Sequence, residues 1–191
     1  MDENYTGTAL LIIDMQKGLF VAETPRYDSD GVINRINTLG KAVRERGGMV
    51  VFIQHDGSKG NLLEPGTEGW EILPSLNRKP TDIVVNKAAC DSFYKTELAQ
   101  VLDRNKIRRL IVTGCATDFC VDTTVRAAFS LDYQVIVVSD CHTTSDRPFV
   151  DAASLIQHHN WLWKNLIHPE AQIEVMEMEN LVARFNTPLD A

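Results

Sequence analysis

The chain reads as an α/β protein: a three-layer α/β/α arrangement around a Rossmann-like sheet of about six mainly parallel strands. Three observations lead there. Short apolar, β-branched runs recur, as in Ala9-Leu10-Leu11-Ile12-Ile13, Ile83-Val84-Val85 and Leu110-Ile111-Val112-Thr113. Unbroken runs of this kind suit strands buried on both faces, the condition of a parallel sheet. Between them lie segments with apolar residues at helical spacing, and strand–helix alternation covers both sheet faces with helices.

Each element follows in order. Residues 8–13 form the first strand. Asp28-Ser29-Asp30 supplies helix N-cap candidates, Val32, Ile33, Ile36, Leu39 and Val43 keep helical spacing, and Gly47-Gly48 ends the helix after Arg46. Residues 49–53 are the next strand. Residues 55–80 lack periodicity and are rich in glycine and proline, which predicts an irregular excursion with one helical turn around Trp70. A strand at 82–86, a helix at 96–105, a strand at 109–113, a helix at 118–131 and a strand at 134–139 follow. A helix over about 149–166, a short strand near 172–176 and a terminal helical piece complete the chain. No G-x-G-x-x-G dinucleotide fingerprint is present.

Length and composition narrow the function. At 191 residues and 21.4 kDa, with 44% hydrophobic content and no repeat or linker, one domain spanning 1–191 is expected. The net charge of −7 argues against a nucleic-acid partner, because phosphate recognition wants clustered Lys and Arg. No basic-then-apolar leader and no apolar run of about 18 residues is seen, so a cytoplasmic protein without membrane attachment is expected. The four cysteines, Cys90, Cys115, Cys120 and Cys141, show no C-x-x-C spacing, which points away from zinc and from a disulfide framework.

The chemistry concentrates at three strand ends. Cys120 follows the strand at 109–113 within Gly114-Cys115-Ala116-Thr117-Asp118-Phe119-Cys120-Val121 and falls in a first helical turn. Unpaired N–H groups and the helix dipole there favour a thiolate or hold an oxyanion. Asp14 ends the first strand and Lys87 ends another. Carboxyl ends of parallel strands gather at one edge, where ligands bind. Each residue alone has an ordinary alternative: a packed cysteine, a capping aspartate, a solvated lysine. Their coincidence is what promotes them.

Asp14-Met15-Gln16, Lys87 and the Gly-x-x-Thr-Asp-x-Cys-Val-x-x-Thr segment ending at Thr124 resemble the Asp–Lys–Cys pattern of the isochorismatase-like cysteine hydrolases. The resemblance extends over nearly the whole chain. Gln54-His55-Asp56-Gly57, Gly69-Trp70-Glu71 and Asp140-Cys141-His142-Thr143-Thr144 look closest to its streptothricin-hydrolase-like branch. It implies Cys120 as nucleophile, Asp14 as general acid/base and Lys87 as its charged partner. It further implies an oxyanion hole from the N–H groups of Ala116 and Cys120, with a cis peptide between Cys115 and Ala116. The expected reaction is hydrolysis of a C–N bond in a small amide, cyclic amide or ureido compound through a thioester. The alternatives are vinyl-ether hydrolysis of the isochorismatase type, which the nucleophilic cysteine disfavours, and a non-catalytic scaffold.

Phe20, Trp70, Phe93, Tyr94, Phe119 and His142 are pocket-wall candidates, because they lie near strand ends or in the long loops. Thr117 and Asp118 are candidate caps for the helix bearing Cys120. Nicotinamidases of the superfamily bind a metal through an Asp-x-His pair and a later His. Here Gln54-His55-Asp56-Gly57 is followed by no histidine until His142, an incomplete set. No cofactor or metal is therefore expected, and the expected partners are a small-molecule substrate and further copies of the chain.

Overall fold

The computed structural model describes residues 5–186. Six strands, β1 (Thr8–Ile13), β2 (Met49–His55), β3 (Ile83–Lys87), β4 (Arg109–Cys115), β5 (Gln134–Thr143) and β6 (Glu174–Met176), form one sheet. Every pairing is parallel, in the order β3-β2-β1-β4-β5-β6. Five helices accompany it: α1 (Ser29–Glu45), α2 (Leu98–Arg104), α3 (Asp122–Ser130), α4 (Ala152–Lys164) and α5 (Met178–Asn186). This strand order reverses direction between β1 and β4, which opens a crevice beyond their carboxyl ends.

The two-residue period of the strands divides the core into two layers. Ala9, Leu11 and Ile13 of β1 pack with Val51, Ile53, Leu110, Val112 and the apolar faces of α2, α3 and α4. Leu10 and Ile12 point the other way, with Val50, Phe52 and Ile111 against α1 and α5. The stripe Val32, Ile33, Ile36, Leu39 and Val43 of α1 is buried there as its spacing predicts. All of β1 is buried, which is why its sequence runs apolar without alternation.

The strands β2, β4 and β5 and the turn carrying Cys120 depart most from the sequence expectation. β2, β4 and β5 each run past the expected ends, to His55, Cys115 and Thr143, since polar residues there still find ladder partners. The segment carrying Cys120 is a π-helical turn, Thr117–Val121, that leads into α3. Such turns recur at functional sites. The excursion 55–80 does contain one helical turn, Glu68–Trp70.

Gly114 holds the two central strands together at the crevice. Its φ of +120° is open to glycine, and a Cβ there would lie 2.2 Å from the Ile13 carbonyl oxygen. Only glycine lets β4 approach β1 this closely, and that approach brings Asp14 and Cys120 into reach of each other.

Candidate active site

β1 ends at Ile13, and Asp14 turns the chain with φ of +48°, a left-handed conformation that aspartate tolerates better than most residues. Its N–H donates to the Ile53 carbonyl, 2.9 Å away, so the turn is tied to β2. Lys87 closes β3, one strand further out. Cys120 rises from the π-helical turn after β4. The Cys115–Ala116 peptide is cis, as the resemblance implied.

Lys87 lies between the other two. Its Nζ donates to Asp14 Oδ2 at 2.7 Å, to Cys120 Sγ at 3.2 Å and to the Ala89 carbonyl at 2.9 Å. An ammonium has three N–H groups, and here three acceptors receive them. His55 Nδ1 lies 3.4 Å from the same Nζ. Asp14 and Lys87 are 1% and 2% exposed, so neither is the solvated surface residue its type predicts. Asp14 Oδ1 is buried without a hydrogen-bond partner among the described residues.

The electrostatics follow from that burial. Desolvation raises the Asp14 pKa above the ordinary carboxylate value, although the Lys87 charge and hydrogen bonds to Cys120 and Lys87 pull it down. Burial pulls Lys87 down, but the charges and hydrogen bonds of Asp14 and Cys120 outweigh it and its pKa rises. Burial pushes the Cys120 thiol strongly upward, and the Asp14 charge adds to the rise against the opposing Lys87. Burial and the Asp14 charge thus oppose the thiolate that the helix start and Lys87 favour. Burial and the loss of His55's proton also go together, since desolvation and the Lys87 charge both lower its pKa.

A cavity of about 310 Å³ opens over these groups. Asp14, Cys115, Ala116 and Cys120 form its floor, with Leu19, Leu63, Phe119, His55, Cys90, Arg26 and Arg147 around it. Arg147 is anchored: it donates from Nε to Asp118 Oδ2 at 2.7 Å and from Nη2 to Asp118 Oδ1 at 3.0 Å. Its guanidinium lies 4.9 Å from the Phe119 ring centre. Burial works against the Asp118 charge, but the hydrogen bonds from Arg147 and Thr144 hold its pKa below the usual range. Asp118 thus serves Arg147, and Thr117 serves His142, so neither caps the helix with its side chain.

Of the pocket-wall candidates, the structure brings Phe119 to this cavity and leaves five elsewhere. Phe20 packs against the core beneath α1. Trp70 faces a separate hollow with Gln54, Ile72 and Leu76, its Nε1 donating to Asp56 Oδ1 at 2.7 Å. Phe93 stacks on Tyr133 with ring centres 5.7 Å apart. Tyr94 is exposed, with the Lys95 ammonium over its ring. His142 is buried between Thr117 and Asn160 and borders a different, larger hollow of about 440 Å³ lined by α1 and α4 residues. That larger hollow contains none of Asp14, Lys87 and Cys120. The excursion 55–80 folds so that Leu63, not Trp70, reaches the site. Gln16 locks that arrangement, donating from Nε2 to the His55 and Trp70 carbonyls and accepting from the His55 N–H.

Arg26, Arg147, Leu19 and Leu63 are cavity residues that sequence reasoning missed, for Leu19 ends a single helical turn and the others lie in loops, all without periodicity. The nicotinamidase-type metal does not fit the donors present. Asp56 Oδ1 already accepts from Trp70 and Asn86, and the His55 ring sits beside an ammonium.

The sequence pattern described as Isochorismatase domain matches residues 8–189. Streptothricin hydrolase of Streptomyces noursei is 33% identical over 140 residues, 73% of this chain and 51% of that protein. Ureidoacrylate amidohydrolase RutB of Cronobacter sakazakii is 29% identical over 185 residues, covering 78% of this chain and 79% of that one. The matches to the streptothricin hydrolases span only about half of those proteins' length. Among solved structures, one titled an isochorismatase family protein superposes with a TM-score of 0.81 at 30% identity, over 88% of this chain and 98% of that one.

Proposed function

The chain belongs to the isochorismatase family, and from that premise we propose that it is a cysteine-dependent hydrolase cleaving a C–N bond of a small amide, cyclic amide or ureido compound. The observation that carries this reading is the buried Asp14–Lys87–Cys120 contact set, in which Asp14 Oδ1 is left as an unused acceptor beside the thiol. A buried carboxylate oxygen without a partner is costly to a fold and useful to a general base. Two relatives are named as hydrolases, one of them an amidohydrolase.

In the proposed reaction the Cys120 proton passes to Asp14 as Sγ attacks the carbonyl carbon, so the anion need not exist at rest. Lys87 holds its charge throughout and balances whichever of the two neighbours is negative. The new oxyanion lies toward the N–H groups of Ala116 and Cys120, and the Ala116 N–H has no backbone acceptor among the described residues. Asp14 then returns the proton to the leaving nitrogen as the C–N bond breaks, leaving a thioester. Asp14 next takes a proton from water, hydroxide adds to the thioester, and the carboxylic acid departs as Sγ recovers the proton.

The test is a screen of primary amides, lactams and carbamoyl compounds for ammonia or carboxylate release. Wild type is expected to turn over at least one class and Cys120→Ala none. Equal release by both would overturn the assignment. Turnover is also expected to survive exhaustive chelation, because no group of three or more possible metal ligands occurs among the described residues. Activity lost on chelation and restored by added metal would show otherwise.

A further inference from the structure

The cavity's charges cancel in pairs except one. Lys87 is paired with Asp14 and Arg147 with Asp118, both within hydrogen-bond distance. Arg26 lines the same cavity and has no carboxylate partner among the described residues. It is nevertheless held in place. Nε donates to the Leu19 carbonyl at 2.6 Å and Nη1 to Ser145 Oγ at 2.8 Å. A guanidinium has five N–H groups, so three remain, including both on Nη2. Arg147 also donates to Ser145 Oγ, which fixes the two guanidinium groups relative to each other.

We infer that Arg26 binds a carboxylate on the substrate, and that the enzyme acts on small amides bearing one negative charge away from the scissile bond. This rests on the hydrolase reading above and narrows its substrate class. A pre-positioned fork with free Nη hydrogens matches a carboxylate in bidentate geometry. A single unbalanced positive charge suits a monoanion. The size agrees: about 310 Å³ is at the small end of ligand cavities, and Leu19, Leu63 and Phe119 offer an apolar wall for a short spacer. A cationic amide would face Arg26 without a counter-charge.

The experiment compares succinamate with its neutral isostere succinamide, and N-carbamoylglycine with N-carbamoylglycinamide, in wild type, Arg26→Gln and Arg26→Lys. Arg26→Gln is expected to lower kcat/KM for the anionic member of a pair by about 10- to 100-fold through KM, the size of a lost charged hydrogen bond. Arg26→Lys should fall between, since it keeps the charge and loses the fork. A second readout needs no turnover: succinate should slow iodoacetamide labelling of Cys120 in wild type at concentrations about tenfold below those needed in Arg26→Gln. Losses shared equally by the charged and neutral substrates, or protection by succinate that is indifferent to Arg26, would overturn the inference. If no amide of either kind is hydrolysed while succinate protection still depends on Arg26, the anion site stands and the hydrolase reading fails.

Discussion

Two buried polar clusters lie at the carboxyl edge of this sheet, and they are built to opposite ends. Around His142 every group is answered. Nε2 lies 3.0 Å from Asn160 Oδ1 and Nδ1 lies 2.9 Å from Thr117 Oγ1, while Asn160 Nδ2 donates to the Ser139 carbonyl. The imidazole meets the Trp163 ring edge-on at 5.1 Å. A neutral ring that donates once and accepts once satisfies this set, and burial pushes its pKa down to about 4. Around Cys120 the set is incomplete. Asp14 Oδ1 lacks a partner among the described residues, three ionisable groups share one ammonium, and a cavity stands open above them. The first cluster holds the turn bearing Cys120 in place, and the second keeps unspent proton-accepting capacity. Equal burial thus carries two meanings, and hydrogen-bond satisfaction tells them apart.

Cys120→Ala should break the comparison most completely, abolishing turnover while thermal unfolding stays cooperative. Asp14→Asn comes next. General acid/base help is typically about 10²–10⁴-fold, so kcat should fall within that range. The Asp14 charge also raises the Cys120 pKa, so the same variant should move iodoacetamide labelling to lower pH while turnover collapses. Unchanged labelling with normal kcat would remove Asp14 from the site.

The His142 cluster should instead show itself in stability. Its folded pKa of about 4 lies below the unfolded value of about 6.5, so between these pH values the unfolded chain binds more protons. Its contribution is therefore fully present above pH ~6.5 and is lost as pH falls toward 4, amounting to about 3 kcal/mol. Denaturant titrations of wild type and His142→Gln across that window measure it, and parallel pH profiles would refute it. The smallest effect sharpens the other cluster. Lys87 lowers the Cys120 pKa, so Lys87→Met should move labelling to higher pH and slow it about tenfold near neutrality. Superimposable labelling curves would place Lys87 outside the thiol's environment.

Much of the fold and of the site is legible in the sequence. The buried strands announce themselves because a strand covered on both faces must be apolar throughout, as β1 is. The α1 stripe is legible because its helix has one buried face. Asp14, Lys87 and Cys120 could be picked out because each follows an apolar run, and parallel strand ends converge whatever the loops do. The family resemblance was carried by Asp14-Met15-Gln16, Lys87 and the segment from Gly114 to Thr124.

Loops and electrostatics were settled only in three dimensions. Arg26 and Arg147 follow no periodicity, and their approach to the cavity depends on Leu19, Ser145 and Asp118, which local spacing does not bring together. Trp70 and His142 sit where sequence placed them along the chain, yet hydrogen bonds to Asp56 and Asn160 turn them to other hollows. The desolvation of the Cys120 thiol is likewise beyond sequence reasoning. A helix start and a lysine favour a thiolate and desolvation opposes it, and how strongly it does depends on how many atoms surround Cys120, a property of packing alone.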